Sequence, residues 1–216
     1  MLSRLSILCT LLFGLALSGA SPAKAENVWI APDMPFFEYT VRGQTYTIER
    51  NQDTNATITG SFAKTSRKCP PFCIHPMKAA DGVVTVGELE LLEFVADYVE
   101  TDLGLLVDAR LSNWYDAGTI PGSVSLPFNL FDPTGNPFFK PVVSRLGGQL
   151  KADGNWDFAD AKHLLLFCNG PWCDQSPRAI RNLISIGYPA EKLLYYRGGM
   201  QSWLMMGLPT IKPSGV

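Results

Sequence analysis

Apolar and polar residues alternate near the start of the chain, as they do along the strands of a β-hairpin. The polar stretch 42–44 separates two alternating runs, whose apolar members are Phe37, Tyr39, Val41, Tyr46 and Ile48. Residues 51–61 are rich in Asn, Thr, Gly and Asp, a composition typical of a loop. We therefore expect residues 26–80 to form a small β-rich N-terminal extension.

From about residue 81 the apolar positions follow a different pattern, in which short continuous runs alternate with helical spacing. The runs that predict buried strands are 103–107, 164–167 and 193–196, and the segments with helical spacing are 85–96, 177–186 and 200–206. Thr85 and Glu88 match a capping box, which predicts the start of the first helix. Strands that alternate with helices predict an α/β domain over residues 81–216, with a central, mostly parallel sheet flanked by helices.

The first 25 residues have the organisation of a signal peptide. Arg4 supplies the positive charge, an apolar run follows over residues 5–17, and residues 23–25 form a small–x–small cleavage site. An uncleaved anchor is the alternative, but the run is short for a membrane span of about 20 residues. We expect a periplasmic or secreted protein, with no stable membrane span after cleavage.

Composition and charge exclude some classes of function. Hydrophobic residues make up 46% of the 216 residues and charged residues 18%, a balance that provides a globular core without dependence on disulfides. Loss of Arg4 and Lys24 with the signal peptide would change the formal net charge from −2 to −4. Since the chain contains no basic block or stripe, nucleic acid is not an expected partner.

Four cysteines follow the signal peptide, which itself contains Cys9. They form two close pairs, Cys69 with Cys73 and Cys168 with Cys173. Export would place them where disulfides persist, and four cysteines allow three pairings. Neither pair has the C-x-x-C spacing of thioredoxin-type motifs.

Cys168 is the candidate nucleophile. It follows an apolar strand and precedes a loop that leads into a helix, for which Ser176 is the predicted N-cap and Pro177 the predicted first residue. Ligands bind at the carboxyl ends of strands in open α/β sheets, and the unpaired N–H groups of a helix N-terminus lower the pKa of a nearby thiol. The alternative is an inert thiol in the core.

Three ordered motifs resemble those of rhodanese domains. Residues 105–110 (LLVDAR) and 114–123 (WYDAGTIPGS) resemble the first signature, a strand that ends in Asp-x-Arg followed by Gly-His-Ile-Pro-Gly-Ala, with Thr119 in place of His and Ser123 in place of Ala. Residues 196–203 (YRGGMQSW) resemble the second signature, in which a Gly-Gly turn opens the last helix. The resemblance covers roughly residues 85–210 and aligns Cys168 with the catalytic cysteine of the family.

The resemblance implies a sulfurtransferase enzyme. The Cys168 thiolate would take the outer sulfur of a donor such as thiosulfate as a persulfide and pass it to a thiol acceptor. The implied partners are the small-molecule sulfur donor and the thiol acceptor, with a periplasmic redox protein as a further candidate. Neither a metal nor a cofactor is required.

The loop after Cys168 is longer than the common rhodanese loop, and it contains a second cysteine. Its sequence is C-N-G-P-W-C-D-Q-S, and the candidate loop residues are Asn169, Gly170, Trp172, Asp174 and Ser176. Cys173 is either a resolving thiol, which would form an intraloop disulfide with Cys168, or a spectator. A phosphatase of the cell-cycle rhodanese-like type needs Arg where Asp174 stands, and Asp174 would repel a phosphate dianion.

Three charged residues are candidates for orienting the loop or an anionic donor. By resemblance, Asp108 and Arg110 lie near the base of the loop, where they would orient it. A purely structural ion pair is the alternative. Arg178, in the predicted helix after the loop, would either meet an anion such as thiosulfate or face solvent.

The first cysteine pair admits several interpretations. Cys69 and Cys73 are disulfide candidates, and redox exchange with Cys168 or Cys173 is an alternative. His75 and Met77 lie close in sequence, so the four side chains also form a soft ligand set suited to Cu(I). The alternative function is therefore a thiol-redox or copper-handling partner protein that uses the rhodanese fold as a scaffold.

Overall fold

A computed structural model of the chain describes residues 27–213, so the predicted signal peptide lies outside the described residues. The strands are β1 (Phe36–Val41), β2 (Gln44–Glu49), β3 (Val84–Val86), β4 (Gly104–Asp108), β5 (Val124–Ser125), β6 (Gln149–Leu150), β7 (Trp156–Asp157), β8 (His163–Phe167) and β9 (Leu193–Tyr196). The helices are α1 (Glu88–Phe94), continued by a π-helical turn, α2 (Ser112–Ala117), α3 (Phe139–Arg145), α4 (Gln175–Ser185) and α5 (Gly199–Met205). None of the described helices is long and apolar enough to cross a bilayer.

The centre of the molecule is a five-stranded sheet with the spatial order β3-β9-β8-β4-β5. All four strand pairings are parallel, as the alternation of strands and helices predicts. Helices cover both faces, which is why the apolar run in β8 is continuous rather than alternating. Leu164 and Leu166 pack into the core on one face, and Leu165 and Phe167 pack into the core on the other.

The N-terminal hairpin is also confirmed, with β1 and β2 paired antiparallel. Its buried residues Tyr39, Val41 and Ile48 belong to the same core cluster as Leu165 of β8. The Tyr39 hydroxyl donates a 2.7 Å hydrogen bond to the Pro121 carbonyl, which fixes the hairpin against the sheet domain. The hairpin therefore completes one face of the core.

Two predicted helix starts were each wrong by two residues. Thr85 lies in β3, and α1 begins at Glu88 after Gly87, whose N–H donates a 2.9 Å hydrogen bond to Glu90 Oε2. Residues 84–86 form a strand because they pair with β9, a partner that a local pattern does not reveal. Similarly, α4 begins at Gln175, and its N-cap is Asp174 rather than Ser176.

Candidate active site

The carboxyl ends of three neighbouring parallel strands bring the sequence motifs together. β8 leads directly to Cys168, β4 ends at Asp108, and β9 is followed after Arg197 by the turn Gly198-Gly199. This edge is where open α/β sheets bind their ligands. The site therefore forms around the loop 168–174, which connects β8 to α4.

The start of α5 holds the base of this loop. The Met200 N–H donates a 3.0 Å hydrogen bond to the Cys168 carbonyl, and the Gln201 N–H donates a 2.9 Å bond to the Asn169 carbonyl. Gly199 has φ +55°, and a Cβ there would lie well inside van der Waals contact with the Cys168 carbonyl. The Gly-Gly turn is thus required because α5 approaches the backbone of the loop so closely.

Cys168 and Cys173 form a disulfide across the loop, with a Cα–Cα distance of 6.2 Å. Both are buried, with 2% and 7% of their surface exposed. The Cys173 N–H donates a 3.0 Å hydrogen bond to the Gly170 carbonyl, which folds the loop back on itself. Gln175 Oε1 lies 3.5 Å from Cys168 Sγ and 3.7 Å from Cys173 Sγ, so it is placed to accept a hydrogen bond from either thiol after reduction.

Asp108 and Arg110 form a buried ion pair beneath the loop. The Arg110 guanidinium donates two hydrogen bonds to the Asp108 carboxylate, of 2.8 Å from Nε and 2.6 Å from Nη2. Its remaining donors reach the Gly118 carbonyl and, at 3.3 Å, Asn169 Oδ1 in the loop. Thr119 donates a 2.8 Å hydrogen bond to Asp108. Arg110 therefore contacts the loop through Asn169, and each of its three guanidinium nitrogens donates to a protein group.

Asp174, at the start of α4, forms ion pairs with two arginines. Its carboxylate accepts hydrogen bonds of 3.0 Å from Arg178 and 2.8 Å from Arg181, and His75 Nδ1 lies 3.9 Å away. Burial alone would raise the pKa of Asp174, but the hydrogen bonds and charges of Arg181 and Arg178 outweigh it and hold the pKa below its ordinary value. Arg178 is thus paired with Asp174 while remaining half exposed. Ser176 is fully buried, and its hydroxyl has no hydrogen-bond partner among residues 27–213.

The N-terminal extension covers the loop. Within it, Cys69 and Cys73 form a disulfide with a Cα–Cα distance of 4.7 Å. The His75 N–H donates a 3.0 Å hydrogen bond to the carbonyl of Pro171 in the loop. Arg197, just after β9, donates a 2.8 Å bond to the His75 carbonyl. The segment around the first disulfide is therefore fixed to the sheet domain and to the loop at once.

Trp172 is the main side chain through which the loop meets the extension. The Arg67 guanidinium lies 3.7 Å from the centre of the Trp172 ring, and the Phe72 ring meets it edge-on at 5.6 Å. Trp172 Nε1 donates a 2.7 Å hydrogen bond to Gln201 Oε1. Sequence reasoning did not identify Arg67, Arg197, Gln175 or Gln201. Arg197 and Gln201 lie within the second signature, whereas nothing in the local sequence marked Arg67.

The soft ligand set around Cys69 is not assembled in this structure. Cys69 and Cys73 are joined to each other, and Met77 is 62% exposed. His75 Nε2 is buried without a hydrogen-bond partner among the described residues. The described part of the chain contains no group of three or more His, Cys, Asp or Glu side chains arranged to hold a metal ion.

Solved structures similar to this chain have low sequence identity to it. One is a protein of unknown function from Rhodopseudomonas palustris, described as a possible tyrosine phosphatase, with 20% identity, 62% of this chain and 88% of that chain covered, and a TM-score of 0.43. A rhodanese-related protein from Thermoplasma volcanium has 19% identity, with 60% and 99% covered and a TM-score of 0.40. The human single-domain sulfurtransferase has 22% identity, with 56% and 95% covered and a TM-score of 0.38.

The family comparison gives the decisive match. No curated protein matches the chain. The family described as the rhodanese-like domain matches residues 91–206, more than half of the sequence. This range contains both signatures and the loop with Cys168. The chain therefore belongs to the rhodanese-like domain family.

Proposed function

We propose that this protein is a sulfurtransferase that carries sulfane sulfur as a persulfide on Cys168. The observation that supports this most is the position of Cys168, which directly follows the central strand β8 and begins the loop into α4. The first turn of α4 has backbone N–H groups without intrahelical partners, and these favour an anionic sulfur. The buried pair of Asp108 and Arg110 supports the loop from below through Asn169.

The reaction needs a free thiolate on Cys168. The thiolate attacks the outer sulfur of a donor such as thiosulfate, the S–S bond of the donor breaks, and sulfite leaves with the electron pair. An acceptor thiolate then attacks the outer sulfur of the Cys168 persulfide, and Cys168 leaves as a thiolate. Because the disulfide with Cys173 removes this nucleophile, the form described here is the oxidised form, and reduction must precede turnover.

We further propose that the protein works outside the cytoplasm. The signal-peptide pattern of residues 1–25 supports export, and both cysteine pairs form disulfides, which persist in oxidising compartments. A periplasmic or secreted location also places the protein where small sulfur anions and exported thiols are its partners.

Sulfur transfer from thiosulfate to cyanide tests the proposal. The protein is reduced with a phosphine, desalted, and assayed by thiocyanate release. We expect wild type to turn over and Cys168→Ser to fall to background, whereas Cys173→Ser and Cys69→Ser keep activity because neither residue carries the sulfur. Intact mass after thiosulfate should show an added sulfur of about 32 Da that a reductant removes, which distinguishes a persulfide from a sulfinic acid. Undiminished transfer by Cys168→Ser would falsify the proposal.

A thiol-redox function is the second candidate, and the observation that supports it is the Cys168–Cys173 disulfide. Such a protein would cycle between this disulfide and a dithiol, without a persulfide. Its signature is a reversible change of about 2 Da, with no sulfur adduct and no thiocyanate formed. The match to the rhodanese-like domain family favours sulfur transfer over this candidate.

A further inference from the structure

Two disulfides of very different accessibility lie in adjoining segments of this molecule. Cys69 is exposed and Cys73 is half-buried, whereas Cys168 and Cys173 are buried. Thiol–disulfide exchange requires a thiolate to reach a sulfur atom directly. A protein dithiol in the surroundings can therefore approach the first disulfide, while the second is shielded within the fold.

The contacts between the two segments flank Cys73 in one segment and immediately precede Cys173 in the other. The residues Phe72 and His75, on either side of Cys73, touch the two residues that precede Cys173. The centroid of the Phe72 ring lies 5.6 Å from that of the Trp172 ring. The His75 N–H donates a 3.0 Å hydrogen bond to the carbonyl of Pro171. Cys73 and Cys173 are thus the members of the two pairs that lie nearest in sequence to these contacts.

Further contacts hold this arrangement in place. Arg197 donates hydrogen bonds to the carbonyls of His75, at 2.8 Å, and Pro76, at 3.2 Å. Arg67 lies over the Trp172 ring at 3.7 Å, and Gln201 bonds both Trp172, at 2.7 Å, and the Phe62 carbonyl, at 2.9 Å. A segment fixed on both sides keeps its sulfur atoms at high effective concentration next to the loop.

We propose that Cys69 and Cys73 are a redox relay, which passes electrons from an external protein dithiol to the Cys168–Cys173 disulfide and so restores the Cys168 thiolate. The inference rests on the proposed function, because it explains how an enzyme with an oxidisable and buried nucleophile returns to its active form. The reductant is identified by its chemistry: it is a dithiol of an exported protein, which docks at the exposed Cys69.

The exchange balances in atoms and electrons. A thiolate of the external dithiol attacks Cys69 Sγ, and Cys73 leaves as a thiolate. The second external thiol closes the external disulfide and releases Cys69. Cys73 then attacks Cys173 Sγ, and Cys168 leaves as a thiolate. Finally Cys69 attacks Cys73 Sγ, which reforms the first disulfide and releases Cys173. Overall, two electrons pass from the external dithiol to the Cys168–Cys173 disulfide. The two protons of the external dithiol pass to the thiolates of Cys168 and Cys173.

Reduction by a bulky dithiol tests the relay. Reduced thioredoxin serves as the probe, and alkylation followed by peptide mapping reports each cysteine pair separately. In wild type we expect both pairs to become reduced. In Cys69→Ser/Cys73→Ser we expect reduction of Cys168–Cys173 to slow at least about tenfold, since the sulfurs of this pair are shielded. An equal or faster rate in the double variant overturns the relay.

A substitution at the contact between the two segments tests whether the segment around Cys69 and Cys73 transfers electrons or only shields the loop. Phe72→Ala removes the ring that meets Trp172. We therefore expect thioredoxin to reduce Cys69–Cys73 at the wild-type rate but Cys168–Cys173 more slowly than in wild type. Ile74→Ala, at an 85% exposed position in the same segment, is the matched control and should change neither rate. If the segment around Cys69 and Cys73 only shields the loop, Phe72→Ala will instead accelerate reduction of Cys168–Cys173, which contradicts the proposal.

The mixed disulfide provides a direct measurement. In Cys69→Ser/Cys168→Ser, mild oxidation should join Cys73 to Cys173 within one molecule, and peptide mapping identifies the crosslink. Absence of this crosslink contradicts the relay.

The relay and the proposed function can fail independently. If the relay is wrong, phosphine-reduced wild type still transfers sulfur. If the proposed function is wrong, electrons still pass from Cys69–Cys73 to Cys168–Cys173, but no thiocyanate forms. The two outcomes are therefore distinguishable.

Discussion

At the scale of single residues, the candidate site contains a buried charge whose three guanidinium nitrogens all donate hydrogen bonds. Arg110 is 1% exposed, and its guanidinium bonds Asp108, Asn169 and the Gly118 carbonyl. A guanidinium held in this way neutralises a buried carboxylate and orients the loop through Asn169. We propose Arg110 as a positioning group for Cys168, whereas the exposed cations Arg178 and Arg181 are paired with Asp174.

Removal of this charge should cost substantial stability. We expect Arg110→Gln to lower the free energy of unfolding by about 3–5 kcal/mol, because it leaves the Asp108 carboxylate buried without a counter-charge. Arg145→Gln, at an exposed position, should change it by less than about 0.5 kcal/mol. Urea unfolding of both variants measures the difference. A loss for Arg110→Gln no larger than the control would show that the pair is not structurally important.

At the scale of elements, the parts predicted well from sequence are those that carry a strong local pattern. The strands β4, β8 and β9 are continuous apolar runs, and the hairpin β1–β2 is a clear alternation. The short strands β3 and β5, of three and two residues, arise from pairing with distant partners and could not be read locally. The same holds for the first turn of α4, where Asp174 occupies the N-cap position and its carboxylate pairs with Arg178 and Arg181.

The turn that opens α5 carries the strongest backbone requirement near the site. We expect Gly199→Ala to lower the free energy of unfolding by at least about 3 kcal/mol, because strain at positive φ adds to a clash with the Cys168 carbonyl. Gly154→Ala is the matched control, since Gly154 also has positive φ but no atom lies near its Cβ position. It should cost only about 1–2 kcal/mol. Thermal unfolding compares the two, and equal losses would show that the close approach of α5 is unimportant.

At the scale of the whole molecule, the extension is structurally continuous with the family domain, although the match begins only at residue 91. Its hairpin supplies Tyr39, Val41 and Ile48 to one face of the core. Its later segment places Phe72 and Arg67 on Trp172 of the loop 168–174. These contacts join residues about 100 positions apart, so the sequence pattern predicted the hairpin but not its role in covering the sheet and the loop.

Shared packing predicts that the hairpin and the sheet unfold together. Ile48 and Leu165 are both fully buried in the same core cluster. We therefore expect Ile48→Ala and Leu165→Ala each to lower the global free energy of unfolding by about 2–5 kcal/mol, the range for large-to-small core substitutions. Far-UV circular dichroism during urea unfolding is the measurement, because its signal is dominated by the helices, and all described helices lie outside the hairpin. If the hairpin were an independent appendage, Ile48→Ala would leave the helical transition of the sheet domain unchanged.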